Sequence, residues 1–166
     1  MKKCVFSGTF DPPTTGHKKI IEKCLALFDE VVVAVMVNTD KKPFLSEGER
    51  KSLLEKLFLG EKRIHVVIFE GAAVDILEKE NTLFYVRGVR NTIDFEYENT
   101  NYFANKKLKN DIITIYIPAE QNELQVSSTL VKNSVKFNKD YADYLPEEIR
   151  ADFLEMIKNK NIVPTV

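Results

Sequence analysis

The feature that most constrains the fold is an uninterrupted apolar run, Val31 to Val37, rich in β-branched side chains. An apolar strand without polar alternation is typical of a parallel sheet covered by helices on both faces. Four other short runs predict strands: 4–6, 64–69, 83–86 and 112–117. Stretches with apolar residues at helical spacing separate these runs. The alternation predicts a doubly wound, Rossmann-like sheet of five parallel strands with helices on both faces.

Several helices carry recognisable start signals. Ser46, with Glu49 three residues later, has the form of a capping box, and Ser127 or a neighbour is a candidate N-cap. Pro146 is expected to start the last helix. Because no linker or repeat interrupts the sequence, residues 1–166 are expected to form one domain. Its helices from about residue 127 onward should pack on the α/β body.

Composition restricts the classes of partner. The formal net charge of -1 gives no reason to expect a nucleic acid as the main partner. Cys4 and Cys24 lie in a strand-like run and on an apolar helix face, so buried free thiols are favoured over a disulfide. Neither a signal-peptide pattern nor an apolar run near the roughly 20 residues of a membrane helix is present. A cytoplasmic protein without membrane contact is expected.

A turn dense in Gly, Pro and Thr joins the first strand to the first helix and ends on His17. Backbone N–H groups at a helix N-terminus are unpaired and carry partial positive charge, so such a turn suits a phosphate. Ligands of open parallel sheets bind beyond the carboxyl ends of the strands. The loops after the other strands hold Lys41, Arg87, Arg90 and the hydroxyl run 127–129. Their convergence on one edge predicts a nucleotide site.

Three of these features also have a purely structural interpretation. His17 at a helix start can be a capping side chain, and Lys41 in an exposed loop can be a solvated charge. The hydroxyls of 127–129 can be an N-cap alone. Each feature taken singly therefore leaves the structural alternative open.

The arginines that flank Gly88 are harder to explain without a ligand. Two guanidiniums on a short turn repel one another unless an anion separates them, and arginine matches phosphate with a bidentate fork. The acidic residues that follow, Asp94, Glu96 and Glu98, lie two apart on a predicted helix. They are expected on a solvated surface.

Motifs in a fixed order carry a family resemblance. Thr14-Thr15-Gly16-His17 has the T/H-x-G-H form of the nucleotidyltransferase superfamily, and 126–129 occupies the place of its I-S-S-S/T signature. The longer pattern runs from Gly8 to His17, through 41–43, to 87–98. Over nearly its whole length the chain resembles the bacterial phosphopantetheine adenylyltransferases.

The resemblance implies reversible transfer of AMP from ATP to 4'-phosphopantetheine, which gives dephospho-coenzyme A and pyrophosphate. Attack on the α-phosphorus would be direct and in line, without a covalent enzyme intermediate. Such a transfer needs mainly positioning and charge stabilisation, because the nucleophile is already an anionic phosphate. Magnesium is expected to bridge phosphate oxygens, with no protein ligands assigned.

The resemblance also assigns residues to roles. His17, Lys41 and Arg90 would be catalytic. The substrate-binding residues would be Thr9, Lys41, Ala73 and Arg87. The ATP-binding residues would be Thr9, Phe10, His17, Gly88, Val89, Arg90, Glu98, Glu123, Leu124, Gln125, Val126, Ser127, Ser128 and Thr129.

The chain departs from the family pattern at a few positions. Ser7 stands where the family usually has proline, and it is expected to loosen the turn. Ala72-Ala73 replaces larger apolar residues, which predicts a roomier pocket for the pantetheine arm. Leu124 stands where an aromatic residue is common.

Assembly and regulation follow from the resemblance alone. It implies a homohexamer built as a dimer of trimers, with coenzyme A as a feedback inhibitor. Two rival functions stay open at this stage. One is a sister enzyme that transfers AMP or CMP to nicotinamide mononucleotide or glycerol 3-phosphate, and the other is a nucleotide-binding module without activity.

Overall fold

The computed structural model describes residues 1–37 and 42–160, in which five strands form one sheet. The strands are β1 (Lys3–Gly8), β2 (Glu30–Met36), β3 (Ile64–Phe69), β4 (Phe84–Val89) and β5 (Ile113–Pro118). Their order is β3-β2-β1-β4-β5, and every neighbouring pair is parallel. The predicted fold class is confirmed, and the direction of winding reverses between β1 and β4.

Six α-helices lie in the described ranges, and their start signals match the sequence. They are α1 (Thr15–Leu27), α2 (Glu47–Leu57), α3 (Ala73–Lys79), α4 (Thr92–Leu108), α5 (Ser128–Lys136) and α6 (Glu147–Asn159). The capping box of α2 is present, with Ser46 and Glu49 each accepting a hydrogen bond from the other's backbone N–H. Ser127 caps α5 by accepting from the Leu130 N–H. Pro146 is the N-cap residue of α6.

The pleat of the sheet sends alternate side chains into two cores. Phe6 faces α1, whose Ile21 is fully buried in the first core. Val5, one residue earlier, faces α3, whose Leu77 is fully buried in the second. Burial of one such aliphatic side chain is worth roughly 1.5–3 kcal/mol, so both helix layers stabilise the sheet.

A third core joins α2 to the C-terminal helices. Leu53 and Leu57 of α2 pack with Val131 of α5 and with Phe153 of α6, which is fully buried. The helices after residue 127 therefore pack on the α/β body through α2.

The end of β4 differs from the sequence prediction. Arg87 and Gly88 were expected on a turn, but they continue the strand, because 87–89 keep their register with 116–118 of β5. A side chain added at Gly88 would place its Cβ 3.2 Å from Cγ1 of Ile20 on α1. Glycine at this position thus allows α1 to pack closely on β4.

Two expectations from composition can be compared with the structure. Cys4 and Cys24 are free and buried, as predicted. In the described part of the chain, every helix is too short or too polar to cross a membrane.

Candidate active site

A cleft of about 370 Å³ lies at the carboxyl ends of β1 and β4. This is the point at which the strand order reverses, where doubly wound sheets bind their ligands. The β1–α1 turn, the end of β4 with the start of α4, and the start of α5 form its walls. The topology thus brings together loops that are far apart in sequence.

Most of the predicted site residues lie in this cleft. Those that line it are Thr9, His17, Arg87, Gly88, Val89, Arg90, Glu98, Glu123, Val126, Ser127, Ser128 and Thr129. Leu124 and Gln125 are not among the lining residues, and neither is Ala73, which begins α3 and packs on the second core. Lys41 lies outside the described residues.

His17 is held by the first turn of α1 in a variant of the capping box. Oγ1 of Thr14 accepts from the His17 backbone N–H, and the Thr14 N–H donates to Nδ1 of His17 at 3.0 Å. Because a backbone N–H can only donate, Nδ1 must be the unprotonated nitrogen. The neutral imidazole therefore carries its proton on Nε2, which is left as a donor.

The surroundings of His17 keep it neutral. Burial and the positive charges of Arg90 and Arg87 lower the pKa of His17 to about 4. Burial disfavours the charged imidazolium, and the nearby guanidiniums repel it. Near neutral pH the side chain is a hydrogen-bond donor without a charge.

Phe10 supports the imidazole from below. Its side chain is fully buried, and its ring centroid lies 5.0 Å from that of His17 and 5.6 Å from that of Phe6. A Cβ added at Gly8 would lie 3.1 Å from the Phe10 ring, so a larger residue there would crowd this ring. Phe10 itself is not among the residues that line the cleft, although it was predicted to border ATP.

Arg87 is bonded on three sides. Its Nε and Nη2 donate to the two carboxylate oxygens of Glu98 at 2.7 and 2.5 Å. Its Nη1 donates to the Ser7 carbonyl at 2.6 Å and lies 3.1 Å from the Ser7 hydroxyl and 3.3 Å from the Tyr85 hydroxyl. Burial opposes the charged form, but Tyr85 and Glu98 outweigh it and raise the pKa of Arg87.

The expectation that Ser7 loosens the turn is wrong. Ser7 belongs to β1 and is 4% exposed. Its hydroxyl lies 2.6 Å from that of Tyr85, and its carbonyl accepts from Arg87. The serine ties β1 to β4 at the edge of the cleft.

Arg90 has its own carboxylate partner. Nε and Nη2 donate to Asp94 at 2.8 and 3.1 Å, and Nη1 donates to the Val126 carbonyl at 3.2 Å. The hydrogen bonds from Arg90 lower the pKa of Asp94. The hydrogen bond from Arg90 to the Val126 carbonyl connects the start of α4 with the segment before α5.

Two predictions about these charges are therefore corrected. The arginines do not need an external anion to coexist, because Glu98 neutralises Arg87 and Asp94 neutralises Arg90. Asp94 and Glu98 are four residues apart, so they share a helix face turned toward the arginines. The solvated surface predicted for the acidic residues holds only for Glu96, which is exposed.

The start of α5 is tied to the β1–α1 turn. The Ser128 hydroxyl donates to the Pro12 carbonyl at 2.8 Å. The buried carboxylate of Glu123 accepts from the Thr15 hydroxyl at 2.5 Å. Ser127 is an N-cap, as one of its two interpretations held, and it also lines the cleft.

A pair of buried charges, Asp11 and Arg50, connects the turn after β1 with the start of α2. Asp11 accepts from the backbone N–H groups of Phe44 and Leu45 at 2.9 and 2.8 Å. Nη1 of Arg50 donates to the Thr9 carbonyl at 2.8 Å and to the Met36 carbonyl at 3.3 Å. We call this arrangement the Asp11–Arg50 brace.

The sequence analysis missed Ser7, Tyr85 and the brace as parts of the site. For Ser7 the available signal was a polar side chain near the end of an otherwise apolar strand, whereas Tyr85 lies inside its strand. Ser7 follows Val5 on one face of β1, just as Arg87 follows Tyr85 on β4. The contacts of Asp11 with 44 and 45, and of Arg50 with 9, link residues more than thirty positions apart, and sequence spacing alone gives no sign of them.

Within residues 1–37 and 42–160, no group of three or more His, Cys, Asp or Glu side chains is placed to hold a metal ion.

Comparisons with known proteins agree with this geometry. The family described as cytidylyltransferase-like matches residues 5–134. A protein from Flavobacterium johnsoniae named phosphopantetheine adenylyltransferase is 36% identical over 150 residues, which are 90% of this chain and 98% of the relative. One of the same name from Fusobacterium nucleatum is 38% identical over 159 residues, 95% of this chain and 98% of the relative.

A solved structure supports the fold alone. A crystal structure from Vibrio parahaemolyticus, provisionally named nicotinate-nucleotide adenylyltransferase, matches with a TM-score of 0.66 and 22% identity. The match covers 98% of this chain and 95% of that chain.

Proposed function

The chain belongs to the phosphopantetheine adenylyltransferases of the cytidylyltransferase-like family, and on that premise we propose the reaction that its cleft performs. It transfers AMP from ATP to 4'-phosphopantetheine and forms dephospho-coenzyme A and pyrophosphate. The reaction is reversible and belongs to the biosynthesis of coenzyme A.

The observation that carries the proposal is the state of His17. A neutral imidazole with Nδ1 occupied by the Thr14 N–H offers an Nε2–H donor at the N-terminus of α1. Such a donor suits an oxygen of the α-phosphate, whose negative charge grows as the phosphorus becomes pentacoordinate. A base is not required of His17, because the attacking phosphate is already an anion.

The bond changes follow from an in-line displacement. An oxygen of the acceptor phosphate forms a bond to the α-phosphorus, and the bond from the α-phosphorus to the bridging oxygen of pyrophosphate breaks. Arg90 is assigned to the triphosphate, and Thr9 with Arg87 to the acceptor phosphate. Lys41 is proposed to bridge the incoming phosphate and the α-phosphate. Both arginines line the cleft, which supports their part of the assignment.

The leaving pyrophosphate is assigned to the start of α5. A helix N-terminus presents backbone N–H groups and partial positive charge to an anion. Ser127, Ser128 and Thr129 line the cleft at this point. Their position beside the α1 turn, to which Ser128 is hydrogen-bonded through the Pro12 carbonyl, supports a route for the triphosphate along the two helix starts.

Magnesium is proposed as the cofactor, carried by the phosphates of ATP. It would neutralise charge on the phosphate oxygens. The donor set fits this arrangement better than a protein cage, because Asp94 and Glu98 are already paired with Arg90 and Arg87. Glu123 is the further carboxylate that lines the cleft.

Pyrophosphate release tests the reaction. ATP with 4'-phosphopantetheine should release pyrophosphate, whereas nicotinamide mononucleotide or glycerol 3-phosphate should not stimulate release. Stimulation by one of those two acceptors instead would identify the sister enzyme, and ATP binding without turnover on any acceptor would identify a binding module.

A substitution at His17 tests the mechanism. Loss of one preorganised donor to a developing charge costs about 2.7–4 kcal/mol, so His17→Ala should lower kcat about 10²- to 10³-fold. His65→Ala is the matched control, because His65 is exposed on β3, away from the cleft. Near-normal turnover of the His17 variant would contradict the assignment.

Assembly, regulation and compartment complete the proposal. We propose a single-domain protomer in a homohexamer, a dimer of trimers, and exposed apolar side chains on α4, such as Ile93 and Phe103, support a contact between copies. Coenzyme A is proposed as a feedback inhibitor because it contains the product. We propose that the protein is cytoplasmic, and the free thiols of Cys4 and Cys24 support this because the cytoplasm is a reducing environment.

A further inference from the structure

Two hydroxyl groups outside the assigned site converge on Arg87. Parallel pairing of β1 with β4 puts Val5 opposite Tyr85. Since side chains alternate along a strand, Ser7 and Arg87, two residues further on, project to the same face of the sheet. Ser7 and Tyr85 are 4% and 7% exposed, so this cluster is closed to bulk water.

The donors of Arg87 can be counted. A guanidinium has five N–H bonds, one on Nε and two on each terminal nitrogen. Glu98 takes the Nε hydrogen and one Nη2 hydrogen. The Ser7 carbonyl takes one Nη1 hydrogen, and the hydroxyls of Ser7 and Tyr85 share the other. Among residues 1–37 and 42–160, no acceptor takes the second Nη2 hydrogen, which is available to a ligand.

Because the hydroxyl pair occupies Nη1, the hydrogen that stays available to a ligand is on Nη2. The two oxygens lie 2.6 Å apart, so one donates to the other and the pair is fixed in place. Nη1 is hydrogen-bonded to Ser7 and Tyr85, and Nε is hydrogen-bonded to Glu98. A rotation of the guanidinium would therefore break two or more hydrogen bonds. A buried donor that lost its acceptor would be left unsatisfied, so other orientations of the guanidinium are costly.

We propose that Ser7 and Tyr85 are positioning residues that hold Arg87 with its free Nη2 hydrogen toward the phosphate of 4'-phosphopantetheine. The inference rests on the proposed function, since it takes the acceptor phosphate to be the ligand of Arg87. In this proposal both residues act through Arg87, and Ser7 also lines the cleft. They therefore set how well the acceptor binds and leave ATP binding unaffected.

A purely structural role makes a different prediction. If the hydroxyls only satisfied buried groups between β1 and β4, their removal would lower thermal stability and leave the kinetic constants unchanged. A positioning role predicts a change in KM for the acceptor and not for ATP, because Arg87 is assigned to the acceptor and Arg90 to the triphosphate.

The experiment compares Ser7→Ala, Tyr85→Phe and the double variant with the unmodified enzyme. Tyr85→Phe keeps the ring in the second core, so it preserves a folded test if Ser7→Ala is unstable. Ser134→Ala removes another buried serine hydroxyl, on α5, and is the matched control. The measurements are KM for each substrate and kcat from pyrophosphate release, and the Tm.

Each single variant should raise KM for 4'-phosphopantetheine about three- to tenfold and leave KM for ATP within twofold. The double variant should raise it by less than the product of the singles, because the two hydroxyls share one Nη1 hydrogen. An unchanged KM for the acceptor in both singles, or an equal rise for both substrates, overturns the proposal. If the rise in KM of the double variant equals the product of the two single rises, the claim that the two hydroxyls act together on Arg87 is overturned.

Failure of the proposed function would look different. In that case the unmodified enzyme would release no pyrophosphate with 4'-phosphopantetheine. An active enzyme whose variants keep their KM refutes only the positioning role.

Discussion

Lowering the pH from 7.5 to 5 should cost the folded protein about 2 kcal/mol through His17 alone. The imidazole is buried, and its pKa falls from 6.5 to about 4 on folding. Between these two values the unfolded chain binds a proton that the folded protein does not. Stability from this group is therefore complete above pH 6.5 and is lost as the pH falls toward 4.

The magnitude follows from the two pKa values. At pH 5 an unfolded histidine of pKa 6.5 is almost fully protonated, whereas the buried one is about nine-tenths neutral. The ratio of the two binding factors is about thirty, or about 2 kcal/mol at 25 °C. For a domain of this length that corresponds to a fall in Tm of roughly 4–8 °C.

Urea unfolding at a series of pH values between 5 and 7.5 measures this contribution. The unmodified protein and His17→Gln should differ in the slope of unfolding free energy against pH, with the flatter line for the variant. Carboxylates also contribute to the pH dependence: hydrogen bonds from Arg63, for example, lower the pKa of Glu61 to about 2. These carboxylates are present in both proteins, so their contributions cancel in the difference between the two slopes.

The second histidine supplies the control. His65 lies exposed on β3, and His65→Gln should keep the steep slope of the unmodified protein. Parallel lines for the unmodified protein and His17→Gln would refute the reasoning, since they would mean that folding does not change the proton affinity of His17.

Two glycines yield predictions of opposite sign. Gly48 is exposed in the first turn of α2 with open space around an added Cβ, so Gly48→Ala should stabilise the protein by about 0.5–1 kcal/mol and raise Tm by roughly 1–4 °C; an unchanged Tm would contradict this. Gly88→Ala places a Cβ 3.2 Å from buried Ile20 and should lower the unfolding free energy by about 1–3 kcal/mol in urea titrations. Ile20→Ala removes the close Cγ1, so it should cost less stability when added to Gly88→Ala than it does alone, and fully additive losses would argue against the clash.

The sequence allowed the sheet to be predicted because its signals are local. The apolar run 31–37 and the capping box at Ser46 depend on neighbours within a few residues, and both elements form where they were expected. The end of β4 was placed too early because arginine and glycine are typical of turns. Pairing with β5, a tertiary interaction, extends the strand through Val89.

The cleft could be predicted in outline but not in its internal bonding. Parallel strands bring their following loops to one edge, so Arg87 and Arg90 were expected there. Their partners Glu98 and Asp94 were assigned to solvent, because spacing along a helix does not reveal which face turns inward. A contact such as Arg87 with Ser7 spans 80 positions and depends on strand order, which no local pattern contains.

The Asp11–Arg50 brace bears on how this enzyme can change. Both charged side chains are hydrogen-bonded to main-chain atoms. Asp11 accepts from the amides at 44 and 45, and Arg50 donates to the carbonyls at 9 and 36. Main-chain atoms are the same for almost every amino acid, so these hydrogen bonds do not depend on which side chains stand at those four positions. The position of the turn after β1 relative to the start of α2 therefore depends on the side chains at 11 and 50, and not on the side chains of the residues that they contact.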